Sequence, residues 1–201
     1  TNPLDVIVMA LQKYSGLPKN KVIGMAGILD SSRFIYFLSQ ELKIPVNKIK
    51  SFVLGGHGDS MVAMLGSTEV DGKNIKELIN EGKLTKEKLD QIVERTKKGG
   101  AEIVKYLEKG SAFYAPAASG VEMAEAYLKN LQKQLPCAVY LNGEYGVKDI
   151  YAGVPVIIGS KGVEKVIELD LTADEKENFK KSINTVKDLF DAAKKIDPNL
   201  K

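Results

Sequence analysis

The single histidine of the chain, His57, is the residue whose chemistry is easiest to infer from the sequence. It lies in the stretch Gly-Gly-His-Gly-Asp-Ser at residues 55–60. Imidazole titrates between about pH 5 and 8, so His57 could donate and accept protons at cellular pH. The alternative is a solvated loop residue or one held by structural hydrogen bonds. This stretch alone leaves both alternatives open.

Asp30 and Arg33 form a second candidate pair near the start of a predicted helix. Their spacing places them one turn apart, near one end of one helix face. Arg33 is surrounded by aromatic residues, and a guanidinium held there offers two parallel donors to a carboxylate. The simpler alternative is an N-cap aspartate beside a solvated arginine. Spacing by itself does not exclude it.

Composition and charge indicate an ordinary globular chain. Its 201 residues carry 29 Lys and Arg against 26 Asp and Glu, for a net charge of +3. This length allows one domain, or one domain with part of another, and a full core. Without a dominant basic block, a long apolar run or a signal peptide, we expect no nucleic-acid and no membrane partner. The lone Cys137 fits a reducing, cytoplasmic location.

Three other kinds of site have weak support. Cys137 lies in the apolar run 135–141 and is predicted to be a packing residue. A metal site at His57 and Asp59 would take two ligands from one turn, which do not complete a coordination shell, so we expect no metal. The chain contains neither G-x-G-x-x-G nor G-x-x-x-x-G-K-[ST], the usual phosphate-binding patterns.

The N-terminal residues predict part of an α/β unit. Asn2 is predicted to be the N-cap, and Pro3 to lie in the first turn, of an apolar helix that ends at residues 15–18. A strand is predicted at residues 21–25. Residues 1–27 are therefore expected to be a helix and a strand of a larger parallel sheet.

The remaining pattern predicts helices alternating with short strands. Strands at residues 51–54 and 60–67 would place His57 at a strand end or turn. Further helices are predicted at residues 29–42, 74–80, 87–96, 101–107 and 121–131, and meander strands at 135–141, 154–159 and 163–169. A capping box of Thr172 and Glu175 starts the last helix, which is expected to cover the sheet and to carry little chemistry. The small residues at 111–119 could border a ligand pocket or allow close helix packing.

Four motifs carry a family resemblance. Thr-Asn-Pro-Leu-Asp at residues 1–5, Leu-Asp-Ser-Ser-Arg-Phe at 29–34, Gly-Gly-His-Gly-Asp-Ser at 55–60 and Gly-Ser-Ala-Phe-Tyr-Ala-Pro at 110–116 occur in this order and separation in the lactate/malate dehydrogenase family. The chain resembles the C-terminal portion of bacterial, malate-oxidising members of the lactate-dehydrogenase-like type. This implies an α+β substrate domain at residues 28–201, built as an antiparallel sheet with packed helices. Residues 1–27 would be the last helix and strand of a Rossmann domain.

The resemblance also implies roles for the matching residues. His57 would be the acid/base that exchanges a proton with the malate hydroxyl, and Asp30 would hold its tautomer. Arg33 would bind the substrate carboxylate through two parallel hydrogen bonds. The remaining implied contacts are Asn2 and Ala112 with the substrate, and Thr1, Asn2 and Pro116 with the cofactor.

The implied activity is NAD-dependent, reversible oxidation of (S)-malate to oxaloacetate by a homo-oligomer, a dimer or tetramer. Lactate oxidation is the alternative of the same class, and a non-catalytic oligomerisation fragment is the alternative of another class. The family's pyrophosphate loop, its acidic ribose-binding residue and its substrate-discriminating mobile loop have no match in these 201 residues. We therefore expect the chain alone to be inactive or nearly so, and the choice between NAD and NADP stays open. Convergence of His57, Asp30 and Arg33 in one pocket would favour the enzyme.

Overall fold

The computed structural model describes residues 2–200 and has the α+β fold that the resemblance implies, with helices packed on antiparallel sheets. The helices are α1 (Leu4–Ser15), α2 (Gly27–Leu42), α3 (Ile75–Asn80), α4 (Lys86–Lys97), α5 (Gly99–Leu107), α6 (Tyr114–Leu128) and α7 (Ala173–Ile196). The strands are β1 (Ile49–Lys50), β2 (Val53–Leu54), β3 (Val62–Ala63), β4 (Glu69–Val70), β5 (Lys73–Asn74), β6 (Lys133–Asn142), β7 (Lys148–Gly159) and β8 (Gly162–Val166).

The sheet β6–β7–β8 is the largest layer, and all its pairings are antiparallel. It confirms the predicted meander at the end of the chain. Cys137 lies in the buried centre of β6 opposite Val154. Burial raises the pKa of the Cys137 thiol to about 12, so Cys137 is the packing residue that its apolar surroundings predicted.

Helix α2 joins two hydrophobic cores. One core surrounds β6 and β7 and receives side chains from α1 and α7. The other is built on Phe34 and Leu38 of α2, which are fully buried against residues from α3, α4 and β1. Apolar contacts on both sides therefore fix the position of α2, and with it the polar residues of its first turns.

The predicted start of the chain needs two corrections. Pro3, not Asn2, is the residue at the N-cap of α1, and no side chain caps the helix there. The strand predicted at residues 21–25 is reduced to one bridge between Gly24 and Ala138, because residues 19–21 form a 3-10 turn. At Gly24 a β-carbon would lie 2.8 Å from Val8 and 2.9 Å from Ala138, so the absence of a side chain there permits the close approach of this segment to α1 and β6.

Two other regions differ from the prediction. The strands that flank His57 are only the two-residue β2 and β3, and β4 and β5 were not predicted. An Asp71-Gly72 turn with positive φ joins β4 to β5, and this dipeptide was a hairpin signal in the sequence. Helix α6 begins at Tyr114 instead of residue 121, because Pro116 lies in the first turn, where no intrahelical donor is needed.

The last helix begins as predicted. Thr172 and Glu175 form the capping box of α7, and Phe179, Ile183, Val186 and Phe190 are buried on one face. The expectation that α7 carries little chemistry stays a prediction, and Ser182 on this face contacts the backbone of the His57 loop. Among residues 2–200, no helix combines the length and the apolar content that crossing a membrane requires.

A glycine-to-alanine pair tests how tightly the main sheet joins the His57 loop. A β-carbon at Gly153 of β7 would lie 2.7 Å from the carbonyl oxygen of Gly55, so Gly153→Ala must displace backbone. We expect a loss of about 1–3 kcal/mol in the free energy of unfolding, measured by urea denaturation. In the control, Gly120→Ala within α6, nothing lies within 4 Å of the new methyl group. A gain of about 0.5–1 kcal/mol is expected there. Equal stability of the two variants would contradict the close approach.

Candidate active site

Two distant segments, β7 and α7, hold the loop that carries His57. Gly55 and Gly153 exchange two backbone hydrogen bonds of 2.8 and 2.9 Å, which tie the loop to β7. The N–H of Gly56 donates to Ser182 Oγ of α7 at 2.8 Å. Both loop glycines are required sterically, because a β-carbon would lie 2.4 Å from Ser182 at Gly55 and 2.5 Å from Val186 at Gly56. These contacts therefore fix the loop backbone independently of the His57 side chain.

The His57 ring is paired with Asp30. His57 Nδ1 lies 2.7 Å from Asp30 Oδ2, and Asp30 is only 1% exposed in the first turn of α2. Since a carboxylate can only accept, Nδ1 carries the proton of this bond and Nε2 is left for chemistry. Asp30 is not an N-cap, because Ala26 holds that position. The simpler alternative for Asp30 is therefore wrong.

Burial and charge act in opposite directions on His57. Burial disfavours the charged ring, but the hydrogen bond to Asp30 and the charges of Asp30 and Asp5 outweigh it, and Arg33 opposes them weakly. The pKa of His57 is raised above its ordinary value as a result. The site thus favours the protonated ring more than bulk water does.

Arg33 lies one helical turn after Asp30 and faces the same space. Its side chain is 13% exposed, and its Nη1 is 3.6 Å from Asp30 Oδ1, too far for a hydrogen bond. Burial lowers the pKa of the guanidinium, opposed by the charge of Asp30. Among the described residues, neither Arg33 Nε nor Asp30 Oδ1 has a hydrogen-bond partner. The guanidinium therefore has donors free for an anionic ligand.

The predicted site residues line one cavity of about 690 Å³. The residues that were singled out from the sequence and border this cavity are Asn2, Asp30, Arg33, His57, Ala112 and Pro116. Thr1, which was predicted to contact the cofactor, lies outside the described residues. Across residues 2–200, no cluster of three or more His, Cys, Asp or Glu side chains is arranged to hold a metal ion. Convergence on one cavity is the result that favours the enzyme.

Sequence reasoning missed several residues that build the site. Asp5 accepts a hydrogen bond from the His57 backbone, although it had been noted only as part of a motif. Ser182 had been assigned to a covering helix. Gly99 was not among the candidate site residues, but a β-carbon there would lie 3.0 Å from the Arg33 side chain. The only sequence signal for the Gly99 contact was that Gly99 and Gly100 are adjacent at the start of a helix, where small residues allow close approach.

The site can therefore do two things chemically. The Arg33 guanidinium can bind a carboxylate, and the adjacent imidazole can exchange a proton with a hydroxyl or carbonyl oxygen of the same ligand. Asp30 connects the two functions, because it contacts the ring and stands beside the guanidinium. A small hydroxy acid or oxo acid has both of the groups that this arrangement recognises.

Comparison with known proteins gives a consistent result. Residues 28–196 match the sequence model of the lactate/malate dehydrogenase, alpha/beta C-terminal domain. A malate dehydrogenase of Pelagibacter ubique (strain HTCC1062) is 66% identical over 200 residues, which cover 100% of this chain and 62% of that protein. The chain thus spans less than two thirds of the length of this curated relative.

Solved structures agree with this result. The crystal structure of Cryptosporidium parvum malate dehydrogenase matches this chain with a TM-score of 0.94 at 44% identity. The match covers 97% of this chain and 62% of the C. parvum chain. The lactate dehydrogenase of the same organism, complexed with lactic acid and nicotinamide adenine dinucleotide, has a TM-score of 0.94 at 47% identity, with coverages of 96% and 61%. Family model, sequence relative and structural neighbours all lead to the same assignment: the chain belongs to the lactate/malate dehydrogenase family.

Proposed function

We propose that the full-length protein is an NAD-dependent malate dehydrogenase, which interconverts (S)-malate and oxaloacetate. The observation that carries this proposal is the convergence of the paired His57 and Asp30 with the free donors of Arg33 in one cavity. The 66% identical relative, which is a malate dehydrogenase, supports the choice of substrate. Because this chain spans 62% of that relative, the activity is a proposal for the whole protein.

In the proposed reaction, Arg33 binds one carboxylate of the acid through two parallel hydrogen bonds. His57 Nε2 takes the hydroxyl proton during oxidation and returns a proton to the carbonyl oxygen during reduction. Asp30 keeps the Nδ1–H tautomer in place and favours the charged ring that forms. Asn2 and Ala112 border the same cavity and are proposed to contact the substrate.

The same cavity is proposed to admit the nicotinamide end of the cofactor. Besides His57 and Arg33, it is lined by Asn2, Ala112 and Pro116. Asn2, Pro116 and Thr1 are proposed to hold the nicotinamide end. When bound, NAD would supply the hydride acceptor. We propose that residues 1–27 belong to the cofactor domain and 28–201 to the substrate domain, since the family match begins at residue 28.

Lactate oxidation is the second candidate. It is favoured by the structural neighbours that are lactate dehydrogenases, including one from Eimeria maxima that is 42% identical over 98% of this chain. The oligomerisation fragment of another class has less support, because Arg33 points into the cavity and not into bulk solvent. Exposed apolar residues on α1, namely Ile7, Leu11 and Tyr14, support the proposal of a homo-oligomer or of a further domain packed there.

The first test removes the charge of Asp30 and keeps its shape. Asp30→Asn should lower the pKa of His57, because burial of the ring is then no longer outweighed. Turnover in the full-length protein should fall by about 10²- to 10⁴-fold. NMR of His57 measures the pKa, and a spectrophotometric malate assay measures turnover. Asp71→Asn, which removes a surface carboxylate paired with Lys48, is the control. Unchanged turnover in Asp30→Asn would contradict the pairing.

The second test concerns carboxylate binding. Arg33→Lys keeps the positive charge and removes the planar pair of donors. KM for malate should rise by about 10- to 100-fold, which corresponds to one hydrogen bond to a charged group. The matched control is Arg95→Lys, because Arg95 is exposed and bonds Glu102 outside the cavity. Equal KM values for Arg33→Lys and the unaltered protein would remove Arg33 from the carboxylate site.

The third test separates the two substrates. The full-length protein is assayed with NADH against oxaloacetate and pyruvate, and we expect a higher kcat/KM for oxaloacetate. A preference for pyruvate would establish the second candidate instead. The same assay on the 201-residue chain should give little or no activity, and a rate equal to that of the full-length protein would contradict this expectation.

A further inference from the structure

Asp5 is a buried carboxylate to which the proposed reaction gives no role. It lies in the first turn of α1, is 4% exposed, and accepts the backbone N–H of His57 on Oδ2 at 2.9 Å. Its other oxygen, Oδ1, is buried and finds no hydrogen-bond partner in the described part of the chain. The backbone of His57 is thus tied to one carboxylate and its ring to another, that of Asp30.

The charge of Asp5 is not needed for this hydrogen bond. An asparagine amide oxygen would accept the same N–H without the desolvation cost of a buried charge. Burial raises the pKa of Asp5 to about 6, although the bond from the His57 N–H and the charge on the ring act in the opposite direction. Ionisation of this buried carboxylate therefore costs stability. A purely structural anchor does not explain this cost.

We propose, on the basis of the acid–base role of His57 proposed above, that Asp5 is a positioning residue whose carboxylate anchors the His57 backbone and whose charge favours the protonated ring. Asp5 and Asp30 come from different helices, α1 and α2, so the imidazole is stabilised from two independent elements. The positive end of α1 also lies at Asp5, which favours a negative charge there.

Other charged groups lie near the His57 loop. The experiment must separate their effect on the pKa of His57 from the effect of Asp5. The charged side chains that line the His57 cavity, or the second cavity sharing Asp59 and Lys97 with it, are Asp30, Arg33, Asp59, Asp90, Lys97 and Lys181. Among these, Asp30 favours the charged ring directly and Arg33 disfavours it. The α7 residue that contacts the loop backbone is Ser182, which is uncharged. Asp5 is therefore the second source of negative charge to be tested.

His57 is the single histidine of these 201 residues, so in NMR of this chain its imidazole signals need no separation from others. Asp5→Asn keeps an acceptor for the His57 N–H and removes the charge. Ser182→Ala removes the acceptor of the Gly56 N–H and leaves every charge in place. We expect the pKa of His57 to fall by about half to one pH unit in Asp5→Asn. In Ser182→Ala we expect it to be unchanged.

Two results would overturn the inference. An unaltered pKa of His57 in Asp5→Asn would leave Asp5 as an anchor only. An equal fall in both variants would assign the effect to loop geometry instead of charge. If Asp5→Asn does not fold, a pH titration of the unaltered protein by NMR still tests the inference. Its Asp5 carboxyl carbon should titrate near pH 6, with the His57 amide proton following at the same midpoint. A His57 amide proton whose chemical shift does not change at this midpoint contradicts the inference.

The pH dependence of activity provides the functional readout. Neutral His57 accepts the proton in malate oxidation, and protonated His57 gives it in oxaloacetate reduction. In Asp5→Asn the acid limb of kcat/KM for oxidation and the alkaline limb for reduction should both move to lower pH, by the shift that NMR measures. An NMR shift in a protein without malate activity supports the role of Asp5 and contradicts only the proposed function. Activity with unshifted limbs contradicts the role of Asp5 alone.

Discussion

The hydrogen bond between His57 and Asp30 is the interaction on which the rest of the site depends. Asp30 is almost completely removed from solvent, and a buried carboxylate without its partner costs about 3–5 kcal/mol. The helix that carries Asp30 and the loop that carries His57 must therefore keep their relative positions to within a few tenths of an ångström. The same bond selects the ring tautomer. The stability of the fold and the chemistry of His57 therefore both require that α2 and the loop keep these positions.

Helix α2 meets this demand because it is held by two cores. Phe34 and Leu38 bury one face among α3, α4 and β1, and the helix also lies against β2 and β6. Asp30 and Arg33 lie on its first two turns, where they reach the cavity without disturbing either core. Close packing of α5 completes the arrangement, because Gly99 lets its first turn lie directly on the Arg33 side chain.

Whether a feature of the fold or the site could be predicted depends on how far apart in the sequence its contacting residues lie. The position of Asp30 and Arg33 on one helix face and the capping box at Thr172 follow from local spacing, and both were predicted. The meeting of His57 with Asp30 required the family resemblance. Contacts of Asp5 and Ser182 with the loop span 52 and 126 residues, and no local pattern encodes such pairs. The strand predicted at residues 21–25 is reduced to the bridge at Gly24, because a 3-10 turn occupies residues 19–21 and the short apolar run did not reveal it.

Anchoring by Ser182 has a consequence for how the protein is made. Ser182 on α7 follows Gly56 of the loop by 126 residues, so it is synthesised after the loop. The entropy cost of closing so long a segment must be met before this contact stabilises the loop. On the ribosome, the nascent chain holds the histidine, its aspartate and the arginine well before the loop can be fixed. The loop therefore gains its hydrogen bond to Ser182 only after α7 has emerged from the ribosome and packed.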